Sequence, residues 1–104
     1  MRRTVAYSFA LVMLACTNEV SAANPDNGLI LVQRWCTGCH VVSSDQIKGT
    51  DIAPSFASIS ERPDFSAAKI ASFLLEPHPK MPNMALTPEE TKDISAYIAE
   101  QRRK

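Results

Sequence analysis

The sequence predicts an all-α domain of three to four helices, and three observations carry that prediction. Two segments open with strong helix-start chemistry, Asn24-Pro25 and Thr87-Pro88-Glu89-Glu90. In each, a side-chain oxygen can accept from first-turn N–H groups, and a proline takes the first helical position, where no N–H is needed. Apolar residues then recur at helical spacing, as Leu29, Val32 and Cys36 do, then Ile70, Phe73 and Leu74, then Ile94, Tyr97 and Ile98. After residue 22, no run alternates apolar and polar residues with the two-residue period of a half-buried strand.

With 104 residues the chain has room for one domain. Its first 22 residues read as a cleaved export signal. Arg2 and Arg3 form a positive start, residues 5–15 an apolar stretch, and Val20-Ser21-Ala22 or Ser21-Ala22-Ala23 a small-residue cleavage site. The apolar stretch is shorter than the ~20 residues a membrane-spanning helix needs. Met13-Leu14-Ala15-Cys16 faintly resembles a lipoprotein signal, but Met13 and Leu14 fit it poorly, so a lipid anchor at Cys16 is the lesser reading. The expected mature domain is residues 23–104, a monomer in an oxidising compartment outside the cytoplasm. Removing Arg2, Arg3 and Glu19 leaves nine basic and ten acidic residues, a balance that gives no reason to expect nucleic-acid binding.

The first helix of that domain starts at the Asn24-Pro25 cap and runs to Trp35, with Leu31 and Trp35 widening the apolar face made by Leu29, Val32 and Cys36. Gly28 within it costs about 1 kcal/mol relative to alanine, which calls for a packing reason such as close helix contact. The helix leads into Trp35-Cys36-Thr37-Gly38-Cys39-His40. If this stretch is helical, Cys36, Cys39 and His40 fall at i, i+3 and i+4 and share one face. C-x-x-C-H is the pattern of c-type haem attachment: each thiol adds to one vinyl group of the porphyrin, and the adjacent imidazole is brought beneath the iron. A thioredoxin-like site would need a β-α-β context that is missing here, and a structural zinc site would need four ligands where only His78 is added. A covalently held porphyrin also supplies the apolar bulk that a domain this small lacks by itself.

After the motif, Ser43-Ser44-Asp45 and Lys48-Gly49-Thr50-Asp51 mark an irregular loop. Ala53-Pro54-Ser55-Phe56 opens a short helix to Ser60, with Phe56 and Ile59 as core. Ser66 caps a middle helix over residues 67–76, Phe65 and Ile70 form a hydrophobic staple, and Ile70, Phe73 and Leu74 form its buried stripe. Pro77 ends that helix, because the residue before a proline disfavours the helical conformation. Residues 76–84 hold three prolines in six positions and read as a rigid extended loop containing His78, Met81 and Met84. Each of these three can supply a sixth ligand to a haem iron. The Thr87 capping box then opens the last helix, whose inner face carries Ile94, Tyr97 and Ile98.

In this order, C-x-x-C-H near the start of the mature domain, then Met81-Pro82, then a final amphipathic helix, the chain resembles the small periplasmic class I cytochromes c. The resemblance spans most of residues 25–101. It implies a cytochrome c-like fold in which the helices wrap one haem c bound through Cys36 and Cys39 and the first and last helices cross, with Gly28 meeting Tyr97 at the crossing. It further implies that His40 and Met81 ligate the iron and that the Pro54 carbonyl accepts a hydrogen bond from the ring of His40.

The function implied is that of a periplasmic single-electron carrier. It would cycle Fe(III)/Fe(II) between a dehydrogenase or quinol-oxidising complex and a terminal oxidase or reductase, with both axial positions filled. Lys48 and Lys80 are candidate contributors to a partner-facing rim. A peroxidase-like enzyme or ligand sensor with a labile sixth site is the alternative, and a subunit dedicated to one dehydrogenase is another. The enzyme or sensor lacks an evident distal acid-base residue, since His78 lies between two prolines.

Overall fold

The computed structural model describes residues 22–46, 53–76 and 80–103. Four helices follow one another: α1 (Pro25–Trp35), α2 (Phe56–Ser60), α3 (Ala67–Leu75) and α4 (Pro88–Glu100), the last tightening into a 3₁₀ turn over Gln101–Arg103. There is no strand among the described residues. Residues 1–21 of the expected export signal, with Cys16 among them, and Lys48 and His78 lie outside them.

Each helix begins where its capping side chain stands. The Asn24 side chain accepts from the N–H groups of Asp26 and Asn27, Ser55 caps α2, Ser66 caps α3, and Thr87 and Glu90 form a reciprocal capping box on α4. Pro54 stands just outside α2 rather than opening it, which leaves its carbonyl oriented toward His40. The middle helix ends at Leu75, with Glu76 already extended as the cap before Pro77.

The first and last helices pack together more extensively than any other pair, and α3 covers a second side of α4. A Cβ built on Gly28 would collide with the carbonyl oxygen of Asp93 and come within 2.7 Å of its carbonyl carbon and 3.0 Å of Tyr97 Cβ. Gly28 therefore lets the backbones approach, and its nearest neighbour is the Asp93 peptide, with Tyr97 beside it. Asp93 also ties the crossing through its side chain: Oδ1 accepts from the Asn24 N–H at 2.7 Å and Oδ2 from Asn27 Nδ2 at 2.8 Å. A carboxylate at the positive end of α1 is favourable on charge grounds as well.

Val32 and Ile94 lie in one core with almost no exposed surface, joined by Leu31, Phe56, Tyr97 and Ile98. Full burial of an aliphatic side chain of this size stabilises by about 1.5–3 kcal/mol. The middle helix departs from expectation. Ile70 and Leu74 pack against the core, but Phe73 is 45% exposed. It lines the groove that also holds Met81 and Met84. Trp35 is likewise largely at the surface.

Candidate haem-attachment site

The motif continues α1 by one turn. Cys36 caps the helix with helical backbone angles, and the N–H groups of Cys39 and His40 both donate to the Cys36 carbonyl, at 3.2 and 2.9 Å. The bond from His40 back to Cys36 has the i to i−4 spacing of an α-helix, so the two thiols and the imidazole occupy one turn. Cys36 is buried and Cys39 exposed. Burial pushes the free Cys36 thiol up to about 11.

His40 is held at its ring. Its Nδ1 lies 2.6 Å from the Pro54 carbonyl oxygen. A carbonyl can only accept, so Nδ1 carries a proton, and in the neutral ring the lone pair is then left on Nε2, the tautomer a metal requires. The ring also packs on Phe56 at a centroid distance of 5.2 Å, and Phe56 packs edge-on to Tyr97 at 6.4 Å. The segment after the motif is fixed by its neighbours: the Phe56 N–H donates to the Val41 carbonyl at 2.9 Å, and the Tyr97 hydroxyl donates to the Val42 carbonyl at 2.8 Å.

Met81 and Met84, both half-buried, line one groove with Phe73, Leu74 and Leu86. Between them Asn83 Oδ1 accepts from the Ala85 N–H at 3.1 Å, and Ala85 takes a left-handed conformation with φ of 50°. For a residue with a Cβ this costs about 1–2 kcal/mol. The strain lies immediately after Met84, in the loop that presents both thioethers.

Cys36, Cys39, His40 and Pro54 thus come together, and Met81 shares its groove with Met84. Three contributors were not visible in the sequence. Gln46 bonds to the backbone of the motif, Asp93 ties α1 to α4, and Ala85 bends the methionine loop. None carries a local pattern, since each acts through contacts set by the fold. The donor set suits a porphyrin with two vinyl groups and an iron: two thiols within one turn, an imidazole with its free nitrogen defined, and soft sulfur ligands on a separate loop.

The comparisons with known proteins agree with this chemistry. Residues 26–102 match the family model described as Cytochrome c. The chain is 46% identical over 92 residues to "Cytochrome c-552" of Bradyrhizobium diazoefficiens, an alignment that covers 88% of this chain and 88% of that relative. No solved structure matches it. No helix among the described residues is long and apolar enough to cross a membrane. The chain belongs to the cytochrome c family: it is a class I c-type cytochrome, an electron-transfer protein with covalently bound haem c rather than an enzyme.

Proposed function

We propose that this cytochrome is an exported, periplasmic carrier of single electrons, with residues 1–22 removed as a signal and residues 23–104 forming one monomeric domain. Cys36 and Cys39 would hold the cofactor through thioethers, His40 would supply one axial ligand through Nε2, and Met81 the other. Haem c, when bound, supplies a one-electron Fe(III)/Fe(II) couple. The observation that carries the reading is the 2.6 Å contact between His40 Nδ1 and the Pro54 carbonyl, which gives this imidazole the tautomer and basicity of a metal ligand.

The chain's own residues do the rest. Pro54 and Phe56 hold the imidazole in place, so little rearrangement accompanies a change of charge nearby. Phe73, Leu74 and Leu86 line the groove on the methionine side. A thioether opposite an imidazole favours the reduced metal relative to a second imidazole and so raises the potential. Met81 is favoured over Met84 because it directly precedes Pro82, whose fixed φ stiffens the chain at the ligand. Donors would be a dehydrogenase or quinol-oxidising complex, and acceptors a terminal oxidase or reductase. Lys80, at the exposed start of the methionine loop, suits a rim facing an acidic partner.

Spectroelectrochemical titration of the holoprotein tests this. A single one-electron wave and a ferrous form that does not bind carbon monoxide are expected. Ready carbon monoxide binding would mean an open sixth position and would refute the carrier with two filled axial sites.

A further inference from the structure

We propose that Gln46 is a positioning residue for the axial imidazole, an inference that rests on the reading of His40 as an iron ligand. Its side chain reaches back onto the haem-attachment turn from both ends of the amide. Oε1 accepts from the Val42 N–H at 2.9 Å, while Nε2 donates to the His40 carbonyl at 2.8 Å and, in a longer contact of 3.4 Å, to the Thr37 carbonyl. The orientation of the amide is fixed by this pattern. A flipped amide would face its NH₂ to the Val42 N–H and its oxygen to two carbonyls, losing all three bonds.

The turn needs such a partner. The last carbonyls of a helix have no N–H donor within the helix and are commonly satisfied through a glycine in the left-handed conformation just past its end. Here the motif runs directly into Val41 and Val42, and among the described residues no glycine has positive φ. Gln46 supplies the donors that this device would otherwise provide, and it does so at the carbonyl of His40 itself.

The consequence is a two-point hold on one residue. Pro54 fixes the ring at Nδ1, and Gln46 fixes the backbone that carries the ring. Tyr97 completes the frame by donating to the Val42 carbonyl, so that both polar groups of Val42 are engaged. With the Gln46 bonds lost, the His40 carbonyl turns to water, the backbone pivots, and the ring samples a wider range of orientations within the hold that Pro54 and Phe56 leave it. Ring orientation at an axial ligand is read out directly in a paramagnetic ferric haem protein, whereas global stability does not report it.

The test uses ferric holoprotein and three variants. Gln46→Leu removes these three bonds at similar volume. Gln46→Glu, ionised at neutral pH, retains the acceptor for the Val42 N–H and loses both donations. Ser95→Ala is a control whose lost bond, from the Ser95 hydroxyl to the Thr91 carbonyl at 2.7 Å, lies wholly within α4. In Gln46→Leu the hyperfine-shifted ring resonances of His40 are expected to move and broaden, and the Val42 amide to exchange roughly fivefold faster, as the loss of a bond worth about 1 kcal/mol implies. Gln46→Glu is expected to move the His40 resonances while Val42 exchange stays near wild type, and Ser95→Ala to leave the His40 resonances in place. If Gln46→Leu does not accumulate as holoprotein, Gln46→Glu decides by the same resonances. Wild-type His40 resonances in the Gln46 variants, with only a lowered melting temperature, would overturn the proposal. A wild-type protein with no hyperfine-shifted imidazole would instead remove His40 as a ligand, a distinguishable failure that takes the proposal with it.

Discussion

Replacing Gly28 by alanine sets two physical effects against each other with opposite signs. Considered as an isolated helix, α1 should gain about 1 kcal/mol from the substitution, because alanine is the better helix former. The crossing predicts the reverse. The new methyl group would overlap the Asp93 carbonyl oxygen and lie 2.7 Å from the carbonyl carbon, both of them backbone atoms within α4 that no rotamer change can move aside. Relief requires the helices to separate, which loosens the core that holds Val32 of α1 and Ile94 of α4 and stretches the bonds from Asp93 to Asn24 and Asn27. Overpacking of this kind costs roughly 1–3 kcal/mol, and with the stretched bonds it exceeds the helix-propensity gain. A net loss of about 2 kcal/mol should lower the melting temperature of a domain this small by roughly 8–16 °C. Thermal unfolding of the ferric holoprotein, followed by far-ultraviolet circular dichroism, measures this directly. A Gly28→Ala protein that melts at or above the wild-type temperature would show that the crossing is not backbone-limited and refute the reasoning.

Asp93→Ala should cost about 1 kcal/mol, since its two bonds to α1 are partly solvated, and its effect should fall short of additivity with Gly28→Ala because both act on one contact; denaturant unfolding of the single and double variants checks this. Tyr97→Phe leaves the buried Val42 carbonyl without its donor and should destabilise by about 1–3 kcal/mol at neutral pH, measured in the same way. The same residue gives a pH dependence. Burial, with Asp45 and Glu100 adding, raises the Tyr97 phenol above its usual value of 10.0, so an unfolded chain ionises first. Its contribution to stability is complete below about 10 and is lost as pH rises further; stability curves between pH 9 and 11 should fall less steeply for Tyr97→Phe than for wild type.

What could be read from the sequence was what is local. The starts of α1 and α4 were legible because Asn24-Pro25 and the Thr87 box act within one turn, and the attachment turn because its three functional groups lie within five residues. The ring contact of His40 with Pro54 spans 14 residues and came from family resemblance rather than from any periodicity. Asp93 reaches Asn24 across 69 residues and Tyr97 reaches Val42 across 55, and no local pattern encodes either bond. Gln46 stood in a polar turn whose composition suggested only a loop, while its amide matches the spacing of backbone groups that appear only once the turn has formed. Phe73 shows the limit of amphipathic reasoning in another way. Its spacing marked it as part of an apolar stripe without saying which neighbour the stripe would face, and it faces the methionine groove, whereas Ile70 and Leu74 meet the protein core.

The central claim is a haem held between His40 and Met81, and the optical spectrum of the ferric holoprotein tests it most directly when wild type is set beside Met81→Ala. A six-coordinate wild type with the weak far-red charge-transfer band of sulfur-to-iron ligation, lost in Met81→Ala, is the predicted result. A band that survives in Met81→Ala and disappears in Met84→Leu would move the ligand three residues along the same groove, and a high-spin wild type would contradict the account.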